Sequence, residues 1–405
     1  MVSWSGQIWD IRWKPVSKPV SDYRVVTSDS ELRKVVKALC DEPRYALDTE
    51  FHRERSYWPR VALVQIAWAQ NLVLIDPLRV SLAPLVDVMN SDAVAVLHAA
   101  AQDLEVLERE TGTVPRVLFD TQIAAGFIGM STPSLASLHE REMNLSLPKG
   151  NRLSDWLSRP LTTAQLDYAA SDVRHLLEIQ SSLVSQLNDL SRLSWAEAEC
   201  ELLRLRDRGG KDPWDAWRKV KEARQLKAEP LRVVRTLAAW REMRASEIDL
   251  PVRFVLSDVG IVAIAQARPS TISELGALRG VDSGLVKGAV GQSILAAIAQ
   301  GKDSDWSPPK AARRSRRGPD LRPAVALVSA WVNQIASDSQ LDPTLLATRA
   351  DVEALVRGDD DARLATGWRA EVAGALLSHL VSGEASLAFE NGSILLETRS
   401  GTAFS

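Results

Sequence analysis

Cysteine is almost absent from this 405-residue chain: Cys40 and Cys200 stand far apart and in no metal-ligand spacing. That scarcity argues against a disulfide framework and against a zinc site. Long apolar runs are also missing, so no transmembrane span is expected. The N-terminus sets Trp4, Trp9 and Trp13 among polar residues and lacks the apolar core of a secretory signal. Those tryptophans are expected to dock on the first domain as a hydrophobic strap. An excess of one charge is lacking too. A formal net charge of −3 is not that of a protein that coats nucleic acid, although acids concentrate early in the chain and bases later. No short-period repeat recurs. What remains is an ordinary globular composition, 45% hydrophobic and 25% charged, for which a cytoplasmic location is expected.

The chain exceeds one compact core, and at roughly 100 to 200 residues per domain three domains are expected. From Tyr45 the pattern reads strand, loop, strand over Val61 to Trp68, a turn at Gln70-Asn71 and a strand over Leu72 to Ile75. Spacing this close implies an antiparallel meander. The rhythm then alternates: helix over Leu82 to Met89, strand over Ala93 to Leu97, helix over Asp103 to Glu110, strand over Val117 to Phe119. A mixed five-stranded sheet with crossover helices follows. Further helices are predicted over Ser134 to Glu142 and over Thr162 to Gln186, the latter started by Pro160 with Thr162 or Thr163. Strand patterns cease beyond Ser191. Residues 23–208 are thus assigned to an α/β domain behind a 1–22 extension, and 213–301 to a first all-α domain. A basic, Pro-containing linker over 302–322 leads to a second helical domain over 323–385 and a weakly alternating tail over 386–405.

Within the first strand, Leu47-Asp48-Thr49-Glu50-Phe51 puts two carboxylates into a run that otherwise reads as buried. A charge taken out of water is costly unless it is paired or binds a cation. Strand alternation places Ala46, Asp48 and Glu50 on one face and Tyr45, Leu47, Thr49 and Phe51 on the other. Alone, the pair reads equally as two solvated acids on an edge strand. Two more acids stand out. Asp103 follows an apolar strand that runs through His98 and small residues into a helix; Asp172 lies one turn after Tyr168 on one helix face. Each has an ordinary alternative: Asp103 as a first-turn acid at a helix N-terminus, the Tyr168–Asp172 pair as packing and a solvated acid. A hard cation shared with a phosphate needs several oxygen ligands, and four acids supply them.

In this order, the Asp-x-Glu strand, His98-x4-Asp103 at a strand-to-helix junction and Tyr168-x3-Asp172 on a later helix resemble the DEDD-type 3′-to-5′ exonucleases. The Tyr subgroup fits, because the histidine of the other subgroup would stand where this chain has Asp167. More narrowly, Leu47 to Arg55, His98 to Leu104, Ser154-Asp155-Trp156 with Arg159-Pro160-Leu161, and Tyr168 to Val173 resemble the ribonuclease D family. Leu237-Ala238-Ala239-Trp240-Arg241-Glu242, with Leu250-Pro251, Leu256-Ser257-Asp258, Ile264-Ala265 and Arg268-Pro269, resembles the helicase-and-RNase-D C-terminal (HRDC) domain. The block from Pro323, with Leu341-Asp342-Pro343 and Trp368-Arg369, resembles a weaker second copy. The first forty residues and the tail are outside the resemblance. It departs at Leu147-Pro148-Lys149-Gly150-Asn151-Arg152, where the neighbours of Lys149 are unusual and Lys149 itself aligns.

The resemblance implies a ribonuclease H-like α/β exonuclease domain followed by two all-α HRDC-type domains. It implies that Asp48, Glu50, Asp103 and Asp172 hold two Mg²⁺ or Mn²⁺ ions and that Tyr168 orients the nucleophile. The substrate implied is RNA with a free single-stranded 3′ end, tRNA precursors being the best-known class, cut to nucleoside 5′-monophosphates. Candidate nucleic-acid contacts are Phe51, Arg53, Arg55, Tyr57, Trp58, His98, Gln102 and Lys149, with cations and stacking aromatics interleaved beside the acidic pair. The segment from Arg53 to Arg60 reads equally as a basic hairpin loop, and His98 as a satisfied histidine at a strand end. The run Arg313 to Arg317 reads as a solvated linker ahead of a binding site. A 3′-to-5′ DNA exonuclease would carry the same acids, and an inactive nucleic-acid-binding scaffold is disfavoured by the intact set.

Overall fold

The computed structural model describes residues 23–146, 154–210, 212–282, 284, 286–307 and 320–399, the side chain of Arg224 apart. The 1–22 extension with its three tryptophans, Lys149, the Arg313 to Arg317 run and the last residues of the tail lie outside these. The described residues form two units: those within 23–50, 61–206 and 320–399 make the first, those within 51–60 and 207–307 the second.

The first unit is built on a mixed sheet whose strands are β1 (Arg24–Val26), β2 (Arg44–His52), β3 (Arg60–Trp68), β4 (Asn71–Ile75), β5 (Val94–Leu97) and β6 (Val117–Asp120), in the order β1-β4-β3-β2-β5-β6. Six strands thus replace the five expected. The addition is β1, which runs parallel to β4 with Val26 opposite Ile75. Three residues of which only Val26 is buried carry too little alternation to announce a strand. The antiparallel β3–β4 pair stands as predicted, with Trp68 opposite Asn71. Strands β2, β5 and β6 run parallel, so their carboxyl ends gather on one edge of the sheet.

Helix α1 (Asp29–Cys40) starts at Ser28, whose hydroxyl accepts from the Glu31 N–H, and buries Leu32, Val35, Val36 and Leu39, the stripe of an amphipathic helix. Then come α2 (Leu85–Met89), α3 (Ala101–Thr111), α4 (Thr121–Gly126) and α5 (Leu135–Leu138), which continues as one π turn through Met143. The long helix expected from Thr162 is two: α6 (Thr163–Arg174) and α7 (Leu176–Asp189). Its start is as predicted. Thr162 Oγ1 accepts from Gln165 N–H while Gln165 Oε1 accepts from Thr162 N–H, a reciprocal cap. The break falls at His175, which leaves helical backbone angles and packs edge-on against His139 with ring centroids 5.8 Å apart. Helix α8 (Leu193–Arg204) completes this part.

The second unit joins the loop Phe51–Arg60 to two 3₁₀ turns, Pro213–Lys219 and Lys221–Gln225, and to helices α9 (Ala228–Glu247), α10 (Val252–Val255), α11 (Asp258–Ala267), α12 (Ile272–Gly276) and α13 (Gly288–Asp303). Helices α9 and α13 cross closely at Gly301, where a Cβ would lie 2.7 Å from Val233 Cα. Side chains singled out in the sequence serve as scaffold here. Trp240 Nε1 donates to Ser293 Oγ, and Arg241 Nη1 donates to Leu256 O and Asp258 Oδ1.

The C-terminal block contains α14 (Arg322–Asp338), α15 (Pro343–Leu346), α16 (Arg349–Arg357), α17 (Gly367–Arg369) and α18 (Ala375–Ser382). Its tail, unassigned from sequence, is an antiparallel hairpin of β7 (Ala385–Glu390) and β8 (Ser393–Thr398), turned at Asn391-Gly392, both with positive φ. The block belongs to the same unit as the sheet and shares its core. Trp368 stacks on Trp195 and meets Phe127 edge-on, while Asp342 N–H donates to Gly126 O. Among the described residues no helix is long and apolar enough to cross a membrane.

Candidate active site

Because β2 and β5 are parallel with Ala46 opposite Val96, the chain leaves β5 at Leu97 level with the acids of β2. The carboxyl ends of parallel strands are where open α/β sheets bind ligands. The turn His98 to Ala100 then starts α3, with Asp103 buried in its first turn. Helix α6 presents Tyr168 and Asp172 one turn apart. One carboxylate oxygen from each of Asp48, Glu50 and Asp172 lies within 4.8 Å of the other two. Asp103 stands beside this trio with its Oδ1 accepting a 2.6 Å hydrogen bond from Thr49 Oγ1.

The electrostatics follow from that crowding. Burial, then the charges of Asp103, Asp172 and Glu50, push the Asp48 carboxyl well above its ordinary range. Burial likewise lifts Asp103 to about 6, against the hydrogen bond from Thr49 that opposes the rise. Acids so placed ionise together only if positive charge joins them. The donor set is oxygen alone, from carboxylates, which is the chemistry of a hard divalent cation and unsuited to a soft one. The residues therefore fit a divalent metal.

Two residues that sequence reasoning passed over support Asp103. Thr49 is one. Asp120, at the end of β6, is the other: its Oδ1 accepts from the N–H of Ala99, Gln122 and Ile123, and its Oδ2 from the N–H of Ala100. One carboxylate thereby caps α4 and ties down the turn into α3, where Ala99 has a positive φ of 57°. An Asp directly after an apolar strand and before a helix is the sequence signal for such a cap. Thr121 Oγ1 donates its one proton to Leu97 O, so it accepts from His98 Nδ1 at 3.0 Å, which assigns the Nδ1–H tautomer. His98 is thus a half-buried histidine anchored at the strand end.

The remaining predicted residues scatter. Gln102 is exposed in the first turn of α3. Arg53 and Arg55 are exposed, with the Arg53 guanidinium 5.1 Å from the Phe51 ring centroid. Tyr57 and Trp58 turn into the second unit, where Tyr57 OH donates to Glu242 Oε1 and Trp58 Nε1 to Ser246 O. Asp167, at the position that would bear histidine in the other subgroup, accepts from Tyr23 OH. The Trp156–Arg159 motif is a buttress: Arg159 clasps Asp76 through Nε and Nη2, and donates to Ala62 O and Trp156 O. Trp156 in turn sits with its ring centroid 6.0 Å from that of Tyr168.

The chain is similar to known proteins over most of its length. The family model described as 3′-5′ exonuclease matches residues 23–188, and that of the HRDC domain matches residues 230–298. Ribonuclease D of Jannaschia sp. is 35% identical over 372 residues, covering 90% of this chain and 96% of its own. Ribonuclease D of Escherichia coli K12 is 32% identical and is covered over 98% of its length. The crystal structure of Escherichia coli RNase D, described as an exoribonuclease involved in structured RNA processing, superposes with a TM-score of 0.77 at 31% identity, over 89% of this chain and 99% of that one. Length and domain order coincide, and the chain belongs to the ribonuclease D family.

Proposed function

We propose that this 3′-to-5′ exoribonuclease trims the single-stranded 3′ ends of structured RNA in the cytoplasm, tRNA precursors among them, and releases nucleoside 5′-monophosphates. The observation that carries the reading is the close trio of Asp48, Glu50 and Asp172 with Asp103 held beside it. These four would hold two divalent cations, Mg²⁺ or Mn²⁺. Bound there, such ions supply a water of lowered pKa and offset the charge that develops on the phosphate and the leaving 3′ oxygen.

The chain's own groups then have distinct tasks. The four carboxylates, when ionised, would hold the cations, which would in turn supply positive charge against the scissile phosphate. Tyr168, one turn from Asp172, hydrogen-bonds the attacking water and orients it; a phenol is a poor base at neutral pH, so orientation is its larger part. Water adds to phosphorus, the bond to the 3′ oxygen of the preceding nucleotide breaks, and that oxygen takes up a proton. Digestion ends where the single strand does, because a paired body cannot thread to the acids. The C-terminal block, with its Trp368-Arg369 pair, acts as a second HRDC-like element in this reading.

The test is an incubation of the purified protein with matched RNA and DNA duplexes carrying labelled 3′ overhangs, in Mg²⁺, Mn²⁺ or EDTA. The RNA overhang should shorten from its 3′ end to mononucleotides and stop near the duplex, only with metal. Equal or faster digestion of DNA, or unchanged digestion in EDTA, would overturn the reading.

A further inference from the structure

We propose that Thr49, the residue between the two strand acids, is a positioning residue that sets the orientation of Asp103 for cation binding; the inference rests on the metal-binding reading above. Its hydroxyl and the Asp103 carboxylate are both buried, 6% and 7% exposed, and 2.6 Å apart. A carboxylate has no proton to give, so the hydroxyl donates.

The backbone beneath Asp103 is already held. Asp120 ties the N–H groups of Ala99 and Ala100 to the cap of α4, so the start of α3 is fixed with respect to β6. The Asp103 carboxylate itself takes backbone hydrogen bonds from Thr49 and from its own N–H, and the short bond from the Thr49 hydroxyl is the side-chain contact that holds Oδ1 among them. Fixing Oδ1 fixes the carboxylate plane, and with it the direction of Oδ2. Alternation along β2 puts Thr49 on the face opposite Asp48 and Glu50, so the strand offers two ligands from one face and steadies a third from the other. Metal sites depend on such outer partners, whose loss costs about 10- to 100-fold in metal affinity.

The experiment measures Mn²⁺ binding to the full chain from the electron paramagnetic resonance signal of free Mn²⁺, with no RNA present. Thr49→Val keeps the shape and removes the hydroxyl; Thr49→Ala removes both the hydroxyl and the packing demand of the branch; Thr49→Ser restores the donor. Circular dichroism and melting in EDTA report the fold of each. We expect Thr49→Val and Thr49→Ala to bind Mn²⁺ about 10- to 100-fold more weakly, and Thr49→Ser to bind nearly as the parent does. Parental affinity in either hydroxyl-free variant while folded, or an equal loss in Thr49→Ser, overturns the proposal. Asp103→Asn separates the two readings: if it binds Mn²⁺ as the parent does, the metal site itself is misassigned.

Discussion

Glu199 on α8 and Arg369 on α17 form a buried ion pair, Oε1 to Nη1 at 2.6 Å, with the Trp368 indole N–H and the Arg363 guanidinium on the same carboxylate. It joins the C-terminal block to the sheet-bearing part of the first unit. Removing one partner of such a pair leaves an uncompensated buried charge and costs about 3–5 kcal/mol. Glu199→Gln should therefore destabilise the protein at pH 7 by that order, read as a lowered urea midpoint. The sign with pH follows from the carboxyl itself. Burial pushes it up, but hydrogen bonds from Arg369 and Trp368 and the charges of Arg369 and Arg363 outweigh this and leave it below its ordinary 4.5. A depressed carboxyl contributes stability above its unfolded value and loses it as pH falls. The gap between parent and variant should narrow below pH 4.5, and a gap that is absent at pH 7 would contradict the role assigned.

Asp48 and Asp103 behave oppositely. Asp103, raised by burial from 3.8 to about 6, and Asp48, raised likewise, have folded values above their unfolded ones. The Asp103 contribution is fully present below about 4 and is lost as pH rises through about 6, and that of Asp48 is lost in the same direction. In EDTA the parent should thus lose stability relative to Asp103→Asn between pH 5 and pH 7, on the order of 1 kcal/mol or more. Added Mg²⁺ or Mn²⁺ binds only the ionised folded site and should restore the parent selectively, by about 2.7 kcal/mol at a hundredfold excess over Kd. Melting curves across this pH range decide it; superimposable profiles for parent and variant would refute the crowding of the site.

Asp172→Ala should abolish metal-dependent hydrolysis and leave RNA binding in place if Asp172 is the cation ligand proposed above. Tyr168→Phe keeps the ring beside Trp156 and loses only the hydroxyl. Its turnover should fall about 10- to 100-fold, at or below the range of a general base, with KM little changed. Single-turnover cleavage of a labelled RNA overhang measures both. Near-parental turnover by the Asp172 variant would sink the assignment of the site.

Part of this site is legible in the sequence because an acidic pair inside an apolar run is costly: Asp48 and Glu50 stand out, while Asp103 and Asp172 each read as an ordinary helix acid and gain meaning only as a set with Tyr168. The β3–β4 turn and the start of α6 are equally visible, since turn and cap chemistry are local. What escapes is non-local. Thr49 reads as a filler between two acids until the fold brings α3 behind it, and Asp120 reads as a strand end until Ala99 and Ala100 are seen to donate to it. The break at His175 interrupts an unbroken helical pattern, and there the ring packs against His139, 36 positions away. The separate domain expected over residues 323–385 is instead in one core with the sheet, because Trp368 and Arg369 find partners in Trp195 and Glu199, a pairing that no periodicity encodes.

The loop after Glu50 is the sharpest case of two readings for the same residues. Tyr57 and Trp58 meet edge-on, 4.7 Å between centroids, and both turn to α9 and the turn that follows it: Tyr57 OH donates to Glu242, Trp58 N–H to Asp249 Oδ1, and Trp58 Nε1 to Ser246 O. Burial, with the charge and hydrogen bond of Glu242, pushes the Tyr57 phenol up to about 12, so it remains a donor throughout the physiological range. Arg53 and Arg55, by contrast, are exposed. The two pairs should therefore separate by experiment. Trp58→Phe, which loses one hydrogen bond, should cost about 0.5–1.5 kcal/mol of stability and leave the salt dependence of RNA affinity unchanged. Replacing Arg53 and Arg55 together by Ala should leave the urea midpoint alone and flatten the plot of log K against log salt, by about 0.7 for each phosphate of single-stranded RNA that is no longer neutralised. Denaturation and filter binding across a salt series on the same preparations measure both effects. A Trp58→Phe protein of unaltered stability with a flattened salt slope would reverse the assignment and return the aromatic pair to the RNA.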